Sequence, residues 1–259
     1  MLLFKKIHSI FQLLKQHYRT GLTNKEISTI LNIPPSTCYR ILAFLKKNNY
    51  VYQRKADSRY FLGFAHLPLA EAVVEGTNEA AICLPFLEEI HYETEEIALF
   101  ALYTGNHCVV MEILGHINTR AKIGRGEIMP MHCAASGKVV LAFLPVKEQK
   151  RIMSELDYRV YTPYTNTKPA VLKKELAKIY KTGVSYNHQE LDNETVAVAA
   201  PIFNSKNHPI GSIALVGSTI DMGDSQLEEY AKLLVNASIN ISTNLRADYP
   251  QWIKDYWKE

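Results

Sequence analysis

Apolar residues recur at helical spacing through the first part of the chain. They predict a helix over residues 3–18, a short second helix and a third helix opened by Pro34 and Pro35. Thr23 is expected to cap the second helix, because Glu26 follows three residues later as its capping-box partner. The predicted inward residues are Leu3, Ile7, Ile10, Phe11, Leu14 and Tyr18 in the first helix, Ile27, Ile30 and Leu31 in the second, and Cys38, Ile41, Leu42 and Leu45 in the third.

Two β-rich runs follow the third helix. Residues 50–53 and 59–62 are joined by the polar segment RKADS, which predicts a β-hairpin. Two short helices, a tight turn, a following helix and a hairpin are typical of a winged helix-turn-helix, whose last helix enters the major groove of DNA. The sequence therefore predicts a DNA-binding domain over residues 1–65 and a connecting helix over residues 66–80.

The rest of the chain, residues 81–259, alternates hairpins with helices. Apolar strands over residues 97–103 and 107–113 predict one hairpin, and strands over residues 196–204 and 209–217 predict another. Helices are expected over residues 82–93, 134–144, 147–156, 169–182 and 225–246, with Gly183 closing the fourth of them. Hairpins separated by helices indicate an α+β domain, in which helices pack on an antiparallel sheet.

Charge is distributed unevenly between these two parts. Residues 1–65 contain eleven lysines and arginines but only two acids, a net charge of +9. Since the whole chain has a net charge of +3, the remainder carries −6. A basic first quarter is expected of a module that neutralises phosphates. A solvated charged surface is the alternative for charge taken alone, and the helix-turn-helix pattern favours DNA.

The third helix and the hairpin tip supply the candidate DNA contacts. Hydroxyl groups and free helix N-terminal amides suit phosphates, whereas Tyr39 and Arg40 can reach base edges or the backbone. Capping is the alternative for Ser36 and Thr37, and a surface salt bridge is the alternative for Arg40. The predicted interface comprises Thr23, Pro35, Ser36, Thr37, Tyr39, Arg40, Arg54, Lys55 and Arg59.

Several other functions are not favoured. The four cysteines are far apart with no CxxC pair, and there is neither a secretion signal nor a run long enough for a membrane span. Free thiols and a cytoplasmic location are expected.

The Ser136-Gly137-Lys138 run lacks the remaining features of a phosphate-binding loop, so Lys138 is expected on a helix surface. A metal site would require His132, Cys133, His188 and Glu190 to meet. No metal, cofactor or enzymatic activity is predicted.

Three segments carry a resemblance to a known family. The run NIPPSTCYRILAFLKKNNYV followed by RYFLG resembles the IclR family of bacterial transcriptional regulators, and so do GRGEIMPMHCAASGKVVLAFLP at residues 124–145 and GVSYNHQELDNETVAVAAPIFN at residues 183–204. The resemblance implies a GAF-like effector-binding domain and a connecting helix that helps to pair subunits. Two positions differ from the family pattern. Pro35 removes a lysine that would contact phosphate, and Asn49 replaces a glycine, which it can do because asparagine tolerates the left-handed conformation.

The resemblance also implies an effector pocket. Carried over by position, its residues are Met129, Ala135, Ser136, Asn187, Thr195, Ala197, Ala214 and Val216. Alanine and valine replace hydroxyl and thiol groups that are usual there, so we expect a more apolar and roomier pocket than the usual one. Ser136, Asn187 and the amides before the following helix remain as donors, which suits an organic or aromatic acid. Ordinary core packing is the alternative for these positions.

These observations predict a sequence-specific transcriptional regulator controlled by a small-molecule effector. A homodimer or homotetramer is expected to bind a palindromic, or nearly palindromic, double-stranded operator. The pattern leaves two other classes open: a DNA-binding protein without an effector, and an enzyme that the basic module tethers to DNA. No paired nucleophile and base supports the enzyme.

Overall fold

The computed structural model describes residues 2–115 and 123–258. The chain divides into two compact units, residues 1–76 and residues 77–259. In the described residues no helix is both long enough and apolar enough to cross a membrane. All four cysteines are buried free thiols, as predicted.

The first unit is a winged helix-turn-helix, which confirms the predicted fold. Its core contains the whole predicted stripe of the third helix together with Ile10, Leu14 and Ile27. β1 and β2 form an antiparallel hairpin in which Val51 pairs with Leu62. The elements are α1 (Leu2–Gln16), α2 (Asn24–Ile30), α3 (Pro35–Lys47), β1 (Val51–Gln53), β2 (Tyr60–Leu62) and α4 (His66–Glu75).

Two asparagines in left-handed conformation make the tight turns of this unit. Asn32 (φ 51°) follows α2, and Asn49 (φ 58°) follows α3. Asparagine adopts this conformation more readily than other residues that carry a Cβ. Gly63 packs against this second turn, where an added Cβ would lie 2.0 Å from the Asn49 carbonyl oxygen. The hairpin is therefore held against the end of α3 by a contact that only glycine permits.

Three predicted inward residues of this unit are exposed. Leu3, Tyr18 and Ile30 have exposed fractions of 56%, 55% and 54%. The first helix ends at Gln16, before Tyr18. On α2 the Ser28 hydroxyl donates to the Ile33 carbonyl oxygen at 2.6 Å, and this bond turns the Ser28 side of the helix inward. Ile30 consequently lies on the solvent side.

The second unit is built on one antiparallel sheet with the strand order β5-β4-β3-β8-β7-β6. The two predicted hairpins, β3–β4 and β7–β8, are joined through β3 and β8, with Ile97 opposite Val216. The elements are α5 (Asn78–Thr94), β3 (Ile97–Tyr103), β4 (Cys108–Leu114), β5 (Ile128–Met129), α6 (Ala135–Phe143), α7 (Val146–Glu155), α8 (Pro169–Thr182), β6 (Ser185–His188), β7 (Thr195–Phe203), β8 (Pro209–Ser218), α9 (Asp224–Asn244) and α10 (Gln251–Tyr256).

Helices cover both faces of this sheet. Side chains of α5 and α9 pack on one face with Phe100 and Leu215, whereas side chains of α6 and α8 pack on the other with Leu99 and Val216. Because successive strand residues point to opposite faces, the central strands read as continuous apolar runs. The predicted α+β architecture is confirmed. Short β5, polar β6 and α10 were not predicted, since few residues in them carry a periodic pattern.

Candidate functional site

The N-terminus of α3 is open for an anionic partner. Pro34 precedes the helix and provides no side-chain cap. The first backbone hydrogen bond of the helix is donated by the Cys38 N–H to the Pro34 carbonyl oxygen, at 2.9 Å. The N–H groups of Ser36 and Thr37 have no acceptor among the described residues. Free amides at a helix N-terminus favour a phosphate.

The outward side of α3 presents Tyr39 and Arg40 to solvent. Tyr39 is 59% exposed, and Arg40 is exposed without an ion pair or hydrogen bond to any described residue. The salt bridge considered for Arg40 is therefore not formed with the described residues. Its guanidinium keeps all its donors available for a base edge or a phosphate.

Thr23 is occupied by the capping box that the sequence predicted. Its Oγ1 accepts a hydrogen bond from the Glu26 N–H at 3.3 Å, and its own N–H donates to Glu26 Oε2 at 2.7 Å. The hydrogen bond from the Thr23 backbone is the main cause that lowers the pKa of the Glu26 carboxyl. Thr23 thus contributes first to the shape of α2.

Both arginines of the wing have acidic partners within the unit. Arg54 donates to both oxygens of Asp57, at 3.0 and 2.6 Å. Arg59 donates to both oxygens of Glu26, at 3.0 and 3.1 Å, and to the Gly21 carbonyl oxygen at 2.9 Å. The Arg59 contacts join the wing to α2 across more than thirty residues of sequence, which no local pattern reveals.

Lys55 differs from these arginines. It is exposed at the tip of the wing and has no ion pair with a described residue. Arg54 and Arg59 would have to leave a carboxylate to bind a phosphate. The Lys55 ammonium can bind one without breaking an ion pair to a described residue.

In the second unit, all eight residues predicted to line an effector pocket surround one cavity. Ala197, Ala214 and Val216 come from the central strands, whereas Ala135 and Ser136 come from the beginning of α6. Met129, Asn187 and Thr195 lie on β5, β6 and β7, and the lining is completed by Leu99, Ile123, Ala134 and Leu191. The predicted apolar character is evident in this lining.

The cavity is smaller than expected. Its volume is about 30 Å³, room for little more than one water molecule. The branched side chains of Val216, Leu191 and Ile123 occupy the space, and Val216 is itself larger than the serine usual in the family. The expectation of a roomier pocket counted lost hydroxyl groups and not the carbon atoms that valine adds, and the inner cavity itself is small. An outer cavity of about 550 Å³ shares four lining residues with the inner one, namely Ile123, Met129, Leu191 and Thr195.

Two of the expected polar donors differ in availability. The Ser136 hydroxyl has no hydrogen-bond partner among the described residues, and it lies in the first turn of α6, where Ala134 provides no side-chain cap. Asn187 is already bonded, because its Nδ2 donates to the Cys133 carbonyl oxygen at 2.7 Å and its Oδ1 accepts from the Glu190 N–H at 3.2 Å. Ser136 and the α6 amides are therefore the open donors of the cavity.

Lys138 is not a surface residue, contrary to the sequence-based expectation. It is completely buried, and its ammonium donates to Glu175 Oε1 at 2.6 Å and to Glu190 Oε1. Lysine is rarely buried unless it is paired. Its two partners lie 37 and 52 residues further along the chain, so helical spacing around Lys138 could not indicate them.

The side chains considered for a metal site have other partners. His132 is buried and donates through Nε2 to the Arg159 carbonyl oxygen at 3.0 Å, and burial lowers its pKa. Burial raises the pKa of the Cys133 thiol to about 12, while Glu190 pairs with Lys138 and His188 is exposed. Within residues 2–115 and 123–258, no three or more histidine, cysteine or acidic side chains are placed to hold a metal ion.

The two units together define a class of protein. An open recognition helix with a wing, followed by an α+β unit that encloses a cavity, is the architecture of a DNA-binding transcriptional regulator. The chain belongs to the IclR family, since the family model for the C-terminal domain of the bacterial transcriptional regulator IclR matches residues 71–243. A model for winged helix-turn-helix DNA-binding domains matches residues 5–52. The chain's curated relatives KipR and the Escherichia coli IclR are transcriptional regulators.

Individual relatives resemble the chain over most of its length. The HTH-type transcriptional regulator KipR of Bacillus subtilis (strain 168) is 24% identical over 229 residues, which cover 88% of this chain and 91% of KipR. The IclR of Thermotoga maritima is similar in structure, with a TM-score of 0.76, 26% identity and coverage of 94% of this chain and 99% of that chain. An IclR homologue from Microbacterium hydrocarbonoxydans, solved with 4-hydroxybenzoate, has a TM-score of 0.72, 21% identity and coverage of 95% and 100%.

Proposed function

We propose that this transcriptional regulator changes its operator affinity when a small organic or aromatic acid enters the cavity of the second unit. The observation that carries the proposal is the convergence of all eight positions of the family's pocket on one cavity. An unpaired Ser136 hydroxyl and the first amides of α6 lie at the same place, and both can hold a carboxylate. The 4-hydroxybenzoate bound to the Microbacterium homologue supports an aromatic acid as the ligand class.

The small volume of the cavity gives this proposal a mechanism. A benzoate needs more room than about 30 Å³, so the ligand must bind a wider state than the one observed. A ligand shifts an equilibrium only by its difference in affinity between two states. The acid would thus select a widened second unit, and operator affinity would change because DNA binding differs between the two states.

For DNA we propose a division of labour within the predicted interface. Tyr39 and Arg40 would read bases, whereas the N-terminal groups of α3 at Ser36 and Thr37, together with Lys55, would hold phosphates. Pro35 would begin the helix without contributing a charge. Arg54, Arg59 and Thr23 would shape the wing and α2 so that these contacts meet the duplex.

We further propose that the protein acts as a homodimer or homotetramer on a palindromic operator in the cytoplasm. Residues 1–65 would bind DNA, residues 66–80 would connect the domains, and residues 81–259 would bind the effector and assemble subunits. The exposed apolar residues of α4 support subunit pairing: Leu67 and Leu69 are 65% and 55% exposed, and no residue of this helix is buried. Two-fold pairing requires a repeated half-site in the operator.

The test combines ligand screening with DNA binding. A duplex selected from random sequence by the full-length protein serves as the operator, and short keto acids, benzoate and 4-hydroxybenzoate serve as ligands. We expect at least one acid both to raise the melting temperature and to change operator affinity. If none of them changes either quantity, the proposed ligand class is wrong. If operator affinity never responds to any metabolite, the protein is a DNA-binding protein without an effector.

A further inference from the structure

An ion triad centred on the buried Lys138 lies behind one wall of the cavity. It consists of Lys138 on α6, Glu175 on α8 and Glu190 in the bend after β6. None of the three lines the cavity. Ser136 and Leu191 do line the cavity. Lys138 lies two residues after Ser136, and Glu190 lies directly before Leu191. The triad therefore connects two sides of the cavity from outside.

Glu190 is hydrogen-bonded to a lining residue close to it in sequence. Its N–H donates to Asn187 Oδ1 at 3.2 Å, and the Asn187 amide in turn donates to the Cys133 carbonyl oxygen at 2.7 Å. Residues 187–191, which we call the edge wall, are thus fastened to the start of α6 by two connections. One is the amide of Asn187, and the other is the ion pair between Glu190 and Lys138.

The central strands form stiffer parts of the lining than the edge wall. β3, β7 and β8 each pair with a strand on both sides, which fixes the strand residues of the lining at Leu99, Ala197, Ala214 and Val216. The start of α6 is fixed as well, since a Cβ on Gly137 would lie 2.6 Å from the Pro130 carbonyl oxygen. The edge wall comprises the last two residues of β6, the terminal strand of the sheet, and the three residues that follow it. Its position consequently depends more on side-chain bonds.

The charges of the triad are unequal. One ammonium serves two carboxylates, and Glu190 Oε2 is buried without a hydrogen-bond partner among the described residues. Burial raises the pKa of the Glu190 carboxyl despite the attraction of Lys138, and the nearby Glu175 raises it further. Cys133 faces the same carboxyl as a neutral thiol, since its pKa is about 12. Lys138 is therefore the cation that lets an ionised Glu190 remain in place.

We propose that Lys138 is a positioning residue of the cavity: through Glu190, its ammonium holds the edge wall against the start of α6 without touching the ligand. The inference rests on the proposed effector site, whose wall it concerns. Without the ammonium, Glu190 would be a buried unpaired charge, which costs far more than an intact pair. The carboxylate would turn to water and displace the neighbouring Leu191, while Asn187 would lose the hydrogen bond from the Glu190 N–H.

Amide hydrogen exchange of the full-length protein without ligand tests this role. We expect Lys138→Met to reduce protection of the edge wall on the order of a hundredfold relative to wild type, as when one partner of a buried ion pair is removed. Adding Glu190→Gln to Lys138→Met should restore most of the protection, because it removes the unpaired charge. Adding Glu175→Gln is the matched control and should not restore it, since the Glu175 side chain is 30% exposed and already hydrated.

A pH series adds a second readout. A carboxyl with a raised pKa favours the folded state when protonated, so its penalty appears as pH rises through that pKa and disappears at lower pH. After correction for intrinsic exchange rates, the loss of protection in Lys138→Met should therefore diminish as pH falls. The Lys138→Met/Glu190→Gln protein should show no such dependence, because residue 190 no longer titrates.

The outcomes separate this proposal from general stabilisation and from the proposed function. Amides of residues 198–200 and 202 in β7 report global opening. Equal restoration by both double variants, an unchanged edge wall in Lys138→Met, or a Lys138→Met/Glu190→Gln protein that fails to fold would overturn the positioning role. If Lys138→Met alone does not fold while that double variant does, the role is supported. Titration with 4-hydroxybenzoate is a separate measurement: absent binding would count against the effector proposal and leave the exchange result standing.

Discussion

The recognition helix and the cavity hold their functional groups in opposite ways. On α3, Tyr39 and Arg40 are exposed, and Arg40 has no partner among the described residues. In the cavity, Asn187 is bonded to backbone groups and the space admits little more than a water molecule. The predicted DNA contacts on α3 are thus exposed without any rearrangement, whereas the cavity must widen before an organic acid fits. An effector-controlled regulator requires this difference. Ligand binding then changes the conformation of the second unit, and that change can alter the affinity for DNA.

Separating the two units gives the largest expected effect on this comparison. A protein restricted to residues 77–259 should fold, because this unit has its own sheet and two cores, and it should retain ligand binding. Operator binding should fall below detection, since α3 and the wing are removed. Fluorescence anisotropy with the selected duplex and calorimetry with the acid measure the two properties. Residual specific DNA binding would show that the preformed surface is not confined to the first unit.

Replacing one exposed side chain tests the open surface itself. Arg40→Ala should weaken specific operator binding by about tenfold to a hundredfold, the range for losing a good contact with a base edge. The melting temperature should not change, because Arg40 has no partner among the described residues. Arg19→Ala removes the same charge from an exposed residue outside α3 and serves as the control. Equal losses in the two variants would indicate a general charge effect and not recognition by α3.

Restoring polarity inside the cavity tests its closed, apolar character. Ala214→Ser together with Val216→Ser adds two donors and removes carbon atoms, so affinity for short keto acids should rise about tenfold. The same change should lower the free energy of unfolding by about 1–3 kcal/mol, because Val216 is buried. Val139→Ser, in the same core but outside the lining, controls for destabilisation. Unchanged affinity measured by calorimetry would place the ligand away from β8.

The smallest effect concerns a residue that supports the open surface indirectly. Thr23→Ala should lower the free energy of unfolding by about 1 kcal/mol through loss of the N-cap, and operator affinity should fall less than it does in Arg40→Ala. Thr20→Ala, at an exposed position before α2, is the control for stability. Chemical denaturation and the DNA titration measure the two quantities. A loss of operator affinity as large as that of Arg40→Ala would assign the Thr23 hydroxyl to phosphate binding instead.

Features that depend on local periodicity were predictable from the sequence. The buried stripe of α3, both hairpins and the left-handed Asn49 follow from spacing and conformational preference. The eight lining positions were predictable only through the resemblance to a family, because they come from four separate strands and a helix. Their role as ligand contacts stays a prediction.

The remainder depends on tertiary partners. Lys138 was misplaced because a lysine within a helical pattern is normally solvated, and only folding brings Glu175 and Glu190 to it. The Glu26 partner of Arg59 was not predicted for a similar reason, and the local Asp57 partner of Arg54 was not predicted because a count of charges does not reveal how they pair. Cavity volume likewise results from how branched side chains interlock, which composition does not determine.

The sheet with two covered faces has a mechanical consequence. Val216 faces the cavity, and its neighbour Leu215 packs in the opposite core with Leu87 and Ile90 of α5. A ligand that pushes β8 outward at Val216 therefore also displaces Leu215, because adjacent residues of a strand share one rigid backbone. α5 begins at Asn78, immediately after the boundary between the two units. A displacement of β8 would therefore reach the core on the opposite face of the sheet, to which α5 and α9 contribute.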